Sequence, residues 1–144
     1  MLGLMSAPAA AENLCTSDEE KLFECRFENS RKSVSICQSK SDKRGLFYKF
    51  GTQGNIELSL PNKNSGQPYI RFEKFGPASS QWIKQIIFPY GKLEYTLSTP
   101  QGISAILSVE GLKSPVSFTC ETGDSGSEIQ DLYLRMEALK FKRR

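Results

Sequence analysis
The chain has 144 residues, 38% of them apolar and 24% charged, with a net charge of +3 from 19 Lys and Arg against 16 Asp and Glu. This is a globular composition of single-domain size, neither disordered nor basic enough to imply a nucleic-acid surface. There is no histidine but there are four cysteines, which removes the usual general base and the commonest metal ligand and excludes Ser-His-Asp catalysis.

In chain order, the first element is an apolar run, Leu2 to Met5, followed by the small residues Ala7 to Ala11. An A-x-A pattern after an apolar run has the character of a signal-peptidase site. Residues 1–11 are therefore read as a residual signal peptide, although no Lys or Arg precedes Lys21; a disordered Ala-rich terminus is the alternative. Residues 12–144 form the expected mature domain, periplasmic or secreted. No apolar stretch approaches the roughly 20 residues of a membrane-spanning helix. Ser17 with Glu20 has the capping pattern of a short helical turn.

Alternating apolar and polar residues then mark strands at Leu22–Glu28, Ser33–Cys37, Leu46–Phe50 and Ile56–Leu60. The Pro- and Asn-rich stretch Pro61–Pro68 breaks the chain. Further strands are expected at Tyr69–Phe75, Trp82–Phe88, Leu93–Ser98, Ile103–Val109 and Val116–Cys120, with turns such as Pro89–Lys92 between them. About eight or nine short strands at roughly 8–12-residue spacing predict an antiparallel meander, closing as a small barrel or a sandwich. The period then changes. Ile129, Leu132, Tyr133, Met136 and Leu139 share one helical face, after a capping box of Ser125 and Glu128, and predict a helix over residues 127–140.

Strand parity also sorts the cysteines. Cys25 shares a face with Phe23 and Phe27, and Cys120 with Val116 and Phe118, so both point inward. Cys37 lies opposite Val34 and Ile36, and Cys15 precedes the first strand. Of three possible connectivities, parity favours Cys25–Cys120 through the interior and Cys15–Cys37 outside it. A bulge in either strand would flip a face and overturn the pairing. A zinc or redox role is disfavoured, because there is no C-x-x-C and the separations of 10, 12 and 83 residues match no zinc ribbon.

Little in the chain carries catalysis. Glu57, Glu73, Glu94 and Glu110 lie on strands or at their ends and are candidates for paired-carboxylate glycan chemistry, but alternation turns at least Glu57 and Glu94 outward. No phosphate-binding glycine loop occurs, and no cofactor or metal is expected. The distinctive surface element is the loop ending in Ser65, Gly66 and Tyr69, with Arg71 and Lys74 on the strand behind it. Recognition concentrates in loops on rigid scaffolds, and Tyr and Arg are enriched at interfaces. The bland reading is an ordinary loop beside a strand whose aromatics are core.

The S-G-x-x-Y motif of Ser65, Gly66 and Tyr69, in a small exported β protein with disulfides, resembles the C-type lysozyme inhibitors of bacterial envelopes, the MliC/PliC family. The resemblance implies that Ser65 enters a lysozyme cleft beside a lysine of a second loop. Phe72, Lys74 and Gly76 approximate that second motif with different spacing. A net charge of +3 gives no steering toward cationic lysozyme. The stretch from Leu22 to Pro61, with its F-x-C, S-V-S-x-C and Y-x-F-G signatures, is similar to small secreted bacterial proteins, a likeness without a function attached.

The expectation is a non-enzymatic binding protein that meets a protein or glycan partner in the cell envelope or host secretions, inhibition of a cell-wall hydrolase being its most concrete form. The alternatives are a carrier of a small apolar ligand, with Phe23, Phe47, Phe72, Phe88 and Tyr95 as candidate cavity lining, and a glycan-acting enzyme using carboxylates.

Overall fold
A computed structural model describes residues 13–28, 30–74, 82–100, 105–120 and 126–144 of the chain. The segment read as a signal peptide, Ser125 of the expected capping box and Gly76 lie outside these residues. Nine strands and a helix follow one another: β1 (Glu19–Arg26), β2 (Ser33–Ser39), β3 (Leu46–Thr52), β4 (Asn55–Leu60), β5 (Tyr69–Lys74), β6 (Trp82–Tyr90), β7 (Leu93–Pro100), β8 (Ile106–Glu110), β9 (Val116–Thr119) and α1 (Gly126–Ala138). They form two antiparallel meanders, β1-β2-β3-β4 and β5-β6-β7-β8-β9. The mainly-β meander with a C-terminal helix is thus as expected from the alternation.

Register explains why the alternation was readable. In the first sheet Phe23 pairs with Ile36, Cys25 with Val34, Tyr48 with Leu60 and Phe50 with Leu58, so one face carries a continuous apolar sheet of side chains. In the second, Ile70 pairs with Ile86, Ile86 with Leu97 and Leu97 with Leu107. These inner faces meet in one core, which α1 joins through Ile129, Leu132, Tyr133 and Met136. The helix touches β1 of one sheet and β5, β6 and β7 of the other. It is wedged between the sheets toward one end.

Two closures tie the sheets together. Phe27, just past β1, bridges to Cys120, just past β9, and the Cys25–Cys120 disulfide crosses between the sheets at the same place, Cα to Cα 5.1 Å. The second disulfide, Cys15–Cys37, pins the N-terminal arm on the outer face of β2, where Leu14 is buried and its N–H donates to Ser35 Oγ at 3.2 Å. Both connectivities agree with strand parity. A register shift does occur at Leu22, but it precedes Phe23, so parity from Phe23 through Cys25 is undisturbed.

One local expectation is corrected. Ser17 and Glu20 start no helical turn. Glu19 instead closes a tight turn, accepting from the Thr16 N–H through Oε1 at 2.9 Å and donating its own N–H to Thr16 O at 3.1 Å. The chain then extends at once into β1, because Phe23 and Cys25 need a strand's alternation to reach the core.

At the other terminus, residues 141–144 run beside β5: the Ile70 N–H donates to Lys142 O, and the Arg144 N–H to Ile70 O, both at 3.0 Å. This parallel segment covers an edge that would otherwise offer unpaired backbone groups.

Candidate functional site
Several polar groups of the Pro61–Pro68 loop are committed within the chain. Ser65 closes a turn on Asn62: its Oγ accepts from the Asn62 N–H at 2.7 Å and donates to Asn62 O at 3.1 Å. Gly66 lies against Pro89 of β6, whose Cγ would stand 3.3 Å from an added Cβ. Tyr69 is buried, with its hydroxyl hydrogen-bonded to the Glu94 carboxylate. Arg71 Nη2 donates to Glu94 Oε2 at 3.1 Å and to the Tyr69 oxygen at 3.3 Å, while the Arg144 guanidinium lies 4.4 Å from the centre of the Tyr69 ring. Burial alone would raise the Glu94 pKa, but the hydrogen bonds from Tyr69 and Arg71, with the charges of Arg71 and Arg144, hold its carboxyl below the usual range. Lys74 stands apart at the far end of β5, 5.6 Å from the Trp82 ring centre. Gly66, Tyr69 and Arg71 therefore gather about the paired Pro89 and Glu94, whereas Lys74 lies apart.

A different site emerges at the end of the molecule away from α1. There the two sheets part around an open cavity of about 720 Å³, within the size range of small-molecule sites. Six aromatic rings line it: Phe27, Tyr48 and Phe50 from the first sheet, and Tyr90, Tyr95 and Phe118 from the second, with Leu58, Leu93 and Val109 between them. Ring contacts organise the walls, with centroids 5.7 Å apart for Phe27 and Phe50, 4.9 Å for Phe27 and Phe118, and 5.5 Å for Tyr48 and Tyr95. Burial, then the neighbouring Tyr95, pushes the Tyr48 hydroxyl well above its ordinary pKa, and burial likewise raises Tyr95. Both phenols stay neutral across the biological range.

Charge is confined to the mouth. Glu28, Ser30, Lys32 and Glu57 rim the opening. Lys32 Nζ reaches Glu57 Oε2 at 3.0 Å and sits 5.6 Å from the centre of the Phe50 ring. Among the expected lining residues only Tyr95 is present. Phe23 and Phe88 fill the solid core, Phe47 lies on the outer face facing Lys49, and Phe72 is exposed. Phe27 and Phe118 have the same parity as core residues but stand at strand ends, where the bridge from Phe27 to Cys120 closes one wall of the cavity.

The one grouping with metal-ligand proximity among the described residues is Cys15, Glu19 and Cys37. Its two sulfurs are bonded to each other and Glu19 is paired to Lys49 at 2.6 Å, so no thiolate is on offer. The site and fold together define a disulfide-stapled two-sheet β protein with an aromatic cavity at one end. No family model, curated protein or solved structure matches the chain.

Proposed function
We propose that this is a non-enzymatic binding protein, working outside the reducing cytosol, that takes a small, uncharged and largely apolar ligand between its two sheets. The observation that supports the reading is the cavity itself: six aromatic rings and three aliphatic side chains around about 720 Å³, with ionised groups held to the rim. Such a lining stabilises a ligand by apolar burial, at about 25 cal/mol per Å² removed from water, and by ring stacking. It presents no nucleophile–base pair. Glu57 is engaged in an ion pair with Lys32, and the hydrogen bonds from Tyr69 and Arg71 hold Glu94 ionised, which does not suit Glu94 to the protonated role that glycosidic chemistry demands. The hydrolase-inhibitor form is less well supported, since Ser65 already uses its hydroxyl in both directions on Asn62.

The test is titration with N-phenyl-1-naphthylamine, a neutral probe that fluoresces when desolvated. The expected result is saturable one-to-one enhancement, weakened at least about tenfold (1.4 kcal/mol) when Val109→Phe fills the cavity while the melting temperature holds. No saturable enhancement, or an unchanged affinity in Val109→Phe, overturns the proposal.

A further inference from the structure
The inner face of the second sheet does not end where the helix covers it. Along the β5–β6 pair, buried Ile70 and Ile86 are followed by Phe72 opposite Lys84 and by Lys74 opposite Trp82. Phe72 and Trp82 are 44% and 47% exposed, although both are large apolar side chains on a core-facing register. They stack on one another, centroids 4.8 Å apart and planes 16° from parallel. This end of β5 and β6 is remote from the cavity, which opens where β6 turns into β7.

Two lysines flank the pair, and the nearby Glu137 carboxylate is taken up by Arg143. Lys74 stands over the indole and Lys84 over the Tyr133 ring of α1, each 5.6 Å from the ring centre. Among the described residues no carboxylate forms an ion pair with either ammonium group. Glu73 projects from the opposite face of β5.

Exposed stacked aromatics flanked by unpaired lysines match the layered chemistry of a bilayer surface. Amphipathic rings settle at headgroup depth, and ammonium groups meet anionic lipid phosphates. A neutral glycan would give the two ammonium groups no counter-charge, whereas an anionic bilayer does. We propose that the Phe72–Trp82 pair, with Lys74 and Lys84 beside it, docks the protein on a membrane surface rich in anionic lipid. The docking is independent of the cavity and stands or falls separately from ligand binding.

Trp82 is the single tryptophan of the chain, so its emission reports on this patch alone. The protein is mixed with vesicles of phosphatidylcholine, and of phosphatidylcholine with phosphatidylglycerol, at low and high salt. The expected result is a blue shift and co-sedimentation only with the anionic vesicles, reversed by salt. Lys74→Gln, which leaves the apolar packing untouched, should lower partitioning roughly fivefold, the usual contribution of one surface lysine. The double variant Phe72→Ser with Trp82→Ser should abolish co-sedimentation while its thermal melt stays cooperative. Absence of binding to anionic vesicles, equal binding to phosphatidylcholine alone, or full binding by the double variant overturns the proposal. So does competition by dextran sulfate with no shift of Trp82 emission, which would assign the patch to a soluble acidic polymer.

Discussion
Single residues in this protein show which sequence signals were diverted to structure. Tyr69, Arg71 and Glu94 read as surface chemistry, yet together they form a half-buried knot on the outer face of the second sheet. Because Glu94 titrates lower in the folded chain than when unfolded, its contribution is present above the unfolded carboxylate range and is lost as pH falls through the folded value. Glu19, where burial acts to raise the pKa but Lys49 and Thr16 bring it down, follows the same sign. Glu94→Gln should therefore cost about 1 kcal/mol at neutral pH and flatten the acid limb of the stability curve; a chemical denaturation series from neutral to acidic pH measures both. At the end of α1, Lys140 has φ of 62°, the one non-glycine residue with positive φ among those described. Its N–H donates to Glu137 O, and the Phe141 N–H to Met136 O, each at 3.0 Å, which is a Schellman cap with lysine where glycine is preferred. Lys140→Gly should stabilise the protein by about 1 kcal/mol, seen as a raised midpoint of thermal unfolding.

Elements were legible where one face of each is buried. Alternation placed all nine strands and the helix within a few residues, and parity chose the disulfides, since the bulges at Leu22 and after Phe50 fall outside the stretches that decide where Cys25 and Cys37 point. The two crosslinks should differ in consequence. Their loops span 95 and 22 residues, for which chain entropy gives about 5 and about 3 kcal/mol. Cys25→Ala with Cys120→Ala should lower the unfolding midpoint more than Cys15→Ala with Cys37→Ala, which releases only the arm carrying Leu14. What the sequence hid is the separation of the sheets. Phe23 and Phe27 are four residues apart on one face and both belong to the core cluster, yet only Phe27 also walls the cavity. Parity states which way a side chain points but carries no information on how far away the opposite sheet lies. That distance follows from the wedge of α1 at one end and the crosslink at Cys120. Likewise, Ser65 matched a recognition motif because serine serves turns and interfaces through the same hydroxyl.

At the scale of the whole molecule, the two ends of the sandwich divide labour. α1 fills one end with Ile129, Tyr133 and Met136, while the other is left open and walled by rings. This asymmetry separates aromatic residues that hold the fold from those the proposed ligand would meet, and the two sets respond differently to truncation. Phe88 is fully buried in the core and contacts Tyr48 with centroids 5.5 Å apart. Phe88→Ala should cost about 3–5 kcal/mol, from lost transfer energy and the void left behind. Phe118, by contrast, is 38% exposed and leans on Phe27 at the cavity wall. Phe118→Ala should cost no more than about 1.5 kcal/mol, since much of the ring is already in water, yet it removes part of the surface on which an apolar guest would rest. Paired thermal melts and N-phenyl-1-naphthylamine titrations measure the two effects side by side. The expected pattern is a large drop in melting temperature for Phe88→Ala, and for Phe118→Ala a small drop with a severalfold loss of probe affinity. An affinity unaltered in Phe118→Ala would place the probe, and with it the proposed ligand, somewhere other than between the sheets.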